Sequence, residues 1–306
     1  MLRRALLWAS ENPFVSERLP RYRFVRRAVR RFMPGEEPED ALREATKLRE
    51  RGAPTLVTQL GENVSDAGEA RGVLRSYLDL ARRIDADGLD MELSVKLTQL
   101  GLDFDPELAA MCVAELAQAT RGLVWIDMES SAYVDRTLEV YRTALSAHEN
   151  VGICLQSYLR RTTDDLEALL QDHVPHIRLV KGAYREPESV AFPEKAQVDS
   201  AFRSLASRMI RECGAGRMGR AAIGTHDERL IGDAQRIAYE LDVAADAWEV
   251  QMLYGISGAH QDRLVSGGTP LRVLVSFGRH WFPWYMRRLA ERPANLGFVL
   301  KQLVRR

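Results

Sequence analysis

The sequence predicts an α/β fold in which eight β/α units close into a parallel barrel. Three observations predict it. After Pro34-Gly35, short β-rich runs alternate with longer helical runs, unit after unit, the pattern of a parallel sheet covered by helices. Seven consecutive runs end in polar residues, as expected where the C-terminal face of a barrel carries a site. The first run leads into Gly61-Glu62-Asn63, which is not the glycine-rich fingerprint of a doubly wound nucleotide-binding sheet. No G-x-x-x-x-G-K-S/T phosphate loop occurs either.

The strands are expected over 54–59, 91–96, 122–127, 151–156, 176–181, 220–225, 247–252 and 271–275, rich in apolar and β-branched residues. The helices are expected over 65–83, 106–119, 131–147, 163–172, 194–213, 227–241, 258–265 and 280–291. Ser65, Ser131, Thr163 and Asp227 stand where an N-cap acceptor belongs. Residues 1–50 precede the first unit as a helical arm, and residues 51–306 make up the barrel.

A hydrophobic content of 46% is ample for a packed core. Lys+Arg and Asp+Glu balance at 43 each, so the global charge gives no footprint for nucleic acid. Cys112, Cys154 and Cys213 are scattered, with no CxxC or Cys/His cluster. This argues against a zinc site or a disulfide framework and suits a reducing cytoplasm. No apolar run approaches the ~20 residues of a membrane span. Leu6-Leu7-Trp8, interrupted by Glu11 and Pro13, is not a signal peptide. Locally the charge is uneven: Arg3, Arg4 and the arginines from Arg18 to Arg31 are interleaved with Leu6, Trp8, Phe24 and Phe32. Such a segment either lies on an anionic membrane surface or packs on the body with its arginines in water.

The polar run ends are varied: Gln59 and Glu62, Lys96, Asp127 and Glu129, Gln156 and Tyr158, Lys181 to Glu186, Thr225-His226-Asp227, and Gln251. Lys96 lies among apolar residues in SVKL, where burial demands a partner, and Asp127 is the candidate. His226 reads either as a helix cap or as a ligand contact. Near the C-terminus, Trp284 to Glu291 form an amphipathic stretch with adjacent Arg287 and Arg288. Arg287 and Glu291 share a face with Trp284. The arginine pair is either a solvated basic face or a two-fingered grip on a carboxylate or phosphate.

No Gly-x-Ser-x-Gly elbow, Cys/His constellation or metal-ligand spacing is present. Chemistry that asks little of protein acids and bases is usually delegated to a cofactor. Arg178, Gln156 and Lys181 could supply the hydrogen bonds that a flavin ring needs, and residues 224–226 could serve its pyrophosphate and adenosine. A lysine Schiff-base lyase built on Lys96 or Lys181 is the rival chemistry.

The motifs SVKLTQLG, RLVKGAYRE, GTHD and RRLAERPAN, in this order, resemble the proline dehydrogenases, specifically the short monofunctional bacterial type. The resemblance covers residues 20–300. It implies a distorted (βα)8 TIM-type barrel with the eighth helix above the mouth. It also implies FAD as cofactor and oxidation of L-proline to 1-pyrroline-5-carboxylate, with hydride passing to flavin N5 and electrons to a membrane quinone. By motif, Lys96, Arg287 and Arg288 match the family's carboxylate clamp, and Asp127 the aspartate that orders the pocket. Glu62 matches a glutamate that pairs with the first arginine as a gate, and Glu291 an acid that supports the arginines. Gln156, Arg178, Lys181, Gly182, Thr225 and His226 match flavin contacts, with Gln251 beside them. Ala183, Tyr184 and Leu253 match pocket-wall positions.

Two positions depart from the family pattern. Trp284 and Leu274 stand where the family usually has tyrosines, and Leu274-Val275-Ser276-Phe277-Gly278 replaces a Tyr-x-Pro-aromatic-Gly segment. The strand-eight tyrosine packs on the substrate ring and helps to exclude ring hydroxyls, so leucine opens the alternative of a modified proline such as hydroxyproline.

Overall fold

The computed structural model describes residues 29–282 and 284–286, with isolated positions 12, 18 and 22. A first helix, α1 (Pro38–Glu50), precedes the barrel. Strands β1 (Thr55–Gln59), β2 (Met91–Val95), β3 (Val124–Ile126), β4 (Val151–Gln156), β5 (His176–Val180), β6 (Arg220–Gly224), β7 (Trp248–Leu253) and β8 (Leu271–Phe277) follow in order. Between them run α2 (Ala67–Ala86), α3 (Pro106–Ala119), α4 (Val134–Leu145), α5 (Thr162–Asp172), α6 (Lys195–Gly214), α7 (Glu228–Glu240) and α8 (Gly258–Ser266). All strand pairs are parallel, and β8 pairs with β1 through Thr55↔Val273 to Gln59↔Phe277, which closes the barrel. Among the described residues no helix is long and apolar enough to cross a membrane.

Every strand lies close to its predicted range, but the helix starts differ. Asp66, not Ser65, caps α2, its carboxylate accepting from the backbone of Gly68 and Glu69, while Ser65 bonds to Glu69. Ser131 opens a 3₁₀ turn, Ser131–Tyr133, ahead of α4. Thr163 lies inside α5, whose N-cap is Arg161. Asp227 caps α7 as expected. An acceptor serves as cap only if its backbone is still extended at the first turn, which sequence alone locates to within a residue or two.

The strands alternate by a strict rule. Outward residues such as Leu93, Val95, Ile177, Leu179, Val273 and Val275 are buried in the main core under the helices. Inward residues are mostly polar: Glu92 and Ser94 on β2, Arg178 on β5, Glu249 and Gln251 on β7, Arg272 on β8, all buried. Strand residues two apart share a face, so the lumen holds a column of charged side chains. Barrel lumens are usually filled by bulky branched residues; here a small apolar group, Leu56, Leu123, Trp125 and Ala222 with Leu274 against it, interrupts the column.

At the N-terminal end of the lumen the charges neutralise one another. Arg220 bonds Glu92 at 2.6 Å, Arg272 bonds Glu249 at 3.1 Å and Asp90 at 2.8 Å, and Trp125 Nε1 donates to Glu92 at 2.6 Å. Cavities of about 490 and 550 Å³ open at this pole, both lined by Asp90, Arg220 and Arg272. Both arginines are already paired there, so this end closes the barrel and offers no uncompensated charge to a ligand.

A second apolar cluster covers the C-terminal mouth. Val29, Phe32 and Met33, preceding α1, pack with Leu60, Ile256, Trp281, Phe282, Tyr285 and Met286. Residues 281, 282 and 284–286 are helical. Trp281 Nε1 donates to Glu36 at 3.0 Å, which ties this segment to the stretch before α1. Gly255 lets the backbone of Arg31 approach: a Cβ there would lie 1.6 Å from the Arg31 carbonyl oxygen.

Candidate active site

Lys96, Asp127 and Arg178 meet at the C-terminal end of the lumen. Lys96 follows β2, and its Nζ is 2.9 Å from Asp127 Oδ2, just after β3. The expected partner of Lys96 is therefore in place. Asp127 Oδ1 accepts from Ser94 Oγ at 2.8 Å and from the Arg178 guanidinium. Arg178 also donates to Ser94 Oγ at 3.0 Å and lies over the Trp125 ring, 5.3 Å from its centroid. Strand β5 touches neither β2 nor β3, so these contacts cross the lumen.

The three charges hold one another ionised. Burial pulls the Lys96 ammonium down, but Asp127, Tyr184 and Glu62 outweigh it and hold it above the usual lysine range. Burial pushes Asp127 up, and Lys96 and Arg178 reverse this, bringing it down to about 2. Burial likewise pulls Arg178 down, and Asp127, Cys154 and Glu92 together outweigh it and hold it above the usual arginine range. A Schiff-base lysine needs the opposite, a neutral amine at working pH. Lys181 Nζ sits between Asp199 (2.6 Å) and Asp227 (3.2 Å).

Around this core lie the other residues singled out in the sequence. Gln156, buried at the end of β4, donates from Nε2 to the Met128 carbonyl at 3.1 Å, while its Oε1 is buried without a hydrogen-bond partner. Gln251 Nε2 donates to Glu249 Oε1 at 2.7 Å, which turns Gln251 Oε1 toward Arg178 Nη1, 3.4 Å away. Gly182 has φ 110°, and a Cβ there would lie 2.2 Å from the Tyr158 ring, so the KGAY turn requires glycine. Ala183 and Tyr184 follow it, half-buried. Thr225 Oγ1 accepts from Asp227 N, and His226 Nε2 accepts from Leu253 N at 3.3 Å. The capping role weighed for His226 belongs to Asp227.

Leu274 is half-buried between buried neighbours on β8 and packs against the Leu56–Trp125 group in the lumen. Leu253 and Trp284 both pack on the mouth cluster. Glu62, half-buried in the loop after β1, is electrostatically linked to Lys96. Arg287, Arg288 and Glu291 lie outside the described residues, as does most of the basic N-terminal segment. Among the described residues no group of three or more His, Cys, Asp or Glu could hold a metal ion.

Sequence reasoning missed Ser94 and left Glu129 unassigned. Ser94 stands two residues before Lys96, on the same face of the strand, and that spacing was the available signal. Glu129 accepts from Thr98 N and Oγ1, and nothing in its local sequence announces this.

Comparison with known proteins agrees with this architecture. Proline dehydrogenase 1 of Bacillus subtilis (strain 168) is 35% identical, with 100% of both chains covered. Proline dehydrogenase of Deinococcus radiodurans is 35% identical over 100% of this chain and 98% of that one. Among solved structures, proline utilization A (PutA) from Bdellovibrio bacteriovorus inactivated by N-propargylglycine superposes with a TM-score of 0.80 at 23% identity. That match covers 90% of this chain and 34% of the other. A Bradyrhizobium japonicum PutA mutant gives 0.71 at 21% identity, covering 91% and 32%. The chain thus spans about a third of these larger proteins, and their likeness shows the shared barrel. Residues 41–301 match the family described as Proline dehydrogenase, and with this full-length likeness to short enzymes of that name, the chain belongs to the proline dehydrogenase family of oxidoreductases.

Proposed function

We propose that this protein is an FAD-dependent dehydrogenase that oxidises L-proline to 1-pyrroline-5-carboxylate and delivers the electrons to a quinone. The observation that carries the reading is the meeting of Lys96, Asp127 and Arg178 across the lumen, at the end of the barrel where such enzymes work. The residues present fit a flavin. Gln156 offers a buried acceptor with no partner, Arg178 a rigidly held donor set, and Gly182 a backbone that approaches other groups closely. Arg178, Gln156 and Lys181 would hold the ring, with Gly182, Ala183, Thr225, His226 and Gln251 around the remainder. A bound flavin would supply the two-electron acceptor that these side chains lack.

The chain's own residues bind and orient the substrate. Lys96, with Arg287 and Arg288, grips the carboxylate, which fixes the ring carbon beside nitrogen in one place. Asp127 keeps Lys96 charged and in position, and holds Arg178 at the same time. Tyr184, Leu253, Leu274 and Trp284 wall the ring and exclude water. In this reading Glu62 would pair with Arg287, and Glu291 would support the arginines. Leu274 favours a second reading, in which a ring-hydroxylated proline is the substrate, because leucine leaves room in the lumen that tyrosine would fill.

The purified protein should be yellow, with a flavin spectrum, and should bleach anaerobically with substrate. Proline, 4-hydroxyproline, pipecolate and N-methylproline, tried in turn, rank the ring. A colourless protein, or a yellow one that none of these bleaches, overturns the proposal. The basic N-terminal segment would bring the enzyme to the surface where a membrane quinone is reached. Sedimentation with anionic vesicles, lost on removal of residues 1–28, tests that part.

A further inference from the structure

The loop after β1 and the turn after β2 are joined at Thr98. The Thr98 carbonyl accepts from Val64 N at 3.2 Å, and its hydroxyl oxygen accepts from Asn63 N at 3.3 Å. Asn63 holds a left-handed φ of 54°, a conformation that asparagine tolerates better than most non-glycine residues. Thr98 in turn gives both its polar hydrogens to one side chain: its N–H donates to Glu129 Oε1 at 3.1 Å and its hydroxyl to Glu129 Oε2 at 2.8 Å. Thr98 is fully buried and Glu129 is 5% exposed.

Among the described residues the Glu129 carboxylate bonds to Thr98, a neutral residue, and burying a carboxylate there is a costly way to tie a turn. Its place gives the reason. Lys96 stands two residues before Thr98, and Glu62 one residue before Asn63. We propose that Glu129 is a positioning residue for substrate capture: through Thr98 it fixes Lys96 and Glu62 relative to each other. This rests on the reading of Lys96 and Glu62 as substrate-site residues.

Among the described residues the titratable groups facing Glu129 are Lys96 after β2, Glu62 after β1, and Tyr133 in the 3₁₀ turn before α4. Burial pushes the Glu129 carboxyl up to about 7, against Lys96 and the two Thr98 donors, with Glu62 adding to the rise. Above that pH the carboxylate accepts both Thr98 hydrogens. Below it the carboxyl carries a hydrogen of its own on one of the two oxygens to which Thr98 donates, so one charge-assisted bond becomes a weaker neutral one. The junction then loosens, and KM rises while kcat does not follow.

Glu129→Gln imitates the protonated state at every pH. With proline as substrate, the KM of Glu129→Gln relative to that of the unaltered enzyme should be near one at pH 6. It should climb to roughly 5- to 10-fold at pH 8, the scale of one charge-assisted hydrogen bond replaced by a neutral one. The kcat ratio should stay constant. Thr98→Val, which removes the hydroxyl, should reproduce this pattern, and Thr98→Ser, which restores it, should not. If Glu129→Gln does not fold, the Thr98 pair decides. A KM ratio that is flat from pH 6 to 8, or an effect on kcat alone, overturns the proposal. An unaltered enzyme that turns over no cyclic amino acid overturns the site reading and this inference together, whereas turnover with a flat ratio defeats Glu129 alone.

Discussion

Arg178 lies on β5 and Asp127 just after β3, strands that do not touch, yet their side chains pair across the barrel lumen, with Ser94 bridging them. This pairing makes Asp127 the keystone of the mouth, because the same carboxylate also holds Lys96 at 2.9 Å. Removing it leaves two cations side by side, one of them 5% exposed. Asp127→Ala should therefore destabilise the fold by about 3–5 kcal/mol, the usual penalty for uncompensated buried charge. Asp127→Asn, which keeps an acceptor, should cost less. Denaturant midpoints of the two variants give the comparison, and equal midpoints would show that the charge of Asp127 is not what matters.

Lys96 tests binding separately from folding. Its loss leaves Asp127 still paired with Arg178 and Ser94, so Lys96→Met should fold. If Lys96 grips the substrate carboxylate, KM for proline should rise about 10- to 100-fold, the scale of one charged hydrogen bond. Steady-state kinetics on the folded variant provide the check. A KM within twofold of the parent would remove Lys96 from the clamp.

The barrel was legible because its signal is local: strand and helix periods alternate, and outward strand residues are apolar. The polar lumen was only partly legible. Lys96 betrayed itself by standing charged within SVKL, and Asp127 by ending an apolar run. Glu92, Glu249 and Arg272 gave no such sign, since a charged residue in a short strand reads as solvent-facing until the barrel closes. Which strand meets which across the lumen is a long-range fact, and so the Arg178–Asp127 contact could not be read from either segment alone.

Gly182 carries a steric demand that no other residue meets. Its φ is 110° and a Cβ would strike the Tyr158 ring. Gly182→Ala should lower stability by roughly 1–3 kcal/mol through backbone strain, or else displace Tyr158 and the KGAY turn. Either outcome should reduce flavin retention more than a matched change at Gly232, where a Cβ meets nothing within 4 Å. Flavin content per chain after gel filtration reads this directly, and equal content in both variants contradicts the prediction.

Two buried groups should tilt the stability profile in opposite directions. Burial and Arg220 push His176 down from 6.5 to about 4, with Glu92 opposing. The unfolded chain therefore takes up the proton first, and the contribution of His176, on the order of 3 kcal/mol, is complete above pH 6.5 and lost as pH falls toward 4. Glu129 is raised from 4.5 to about 7, so its contribution is complete below pH 4.5 and lost as pH rises toward 7. His176→Gln should make stability fall more from pH 5 to pH 7, and Glu129→Gln should make it rise. Guanidinium unfolding at the two pH values measures both slopes, and slopes identical to the parent's would refute the assignment.

The proposed contact of Leu274 with the substrate ring can be tested by restoring a larger side chain. Leu274 is the partly exposed residue of β8, packed against the lumenal group of Leu56, Trp125 and Ala222. If Leu274 walls the substrate ring as proposed, a tyrosine there would narrow the pocket and add a hydroxyl to its wall. Leu274→Tyr should therefore raise the ratio of kcat/KM for proline over 4-hydroxyproline by roughly 10-fold, since a pocket rejects an added group by steric and desolvation terms of this size. The residues proposed to grip the carboxylate are unchanged in this variant, so KM for proline itself should change little. If the ratio stays constant while the variant keeps its flavin, Leu274 does not face the ring, and the hydroxylated substrate loses the one structural observation that favours it.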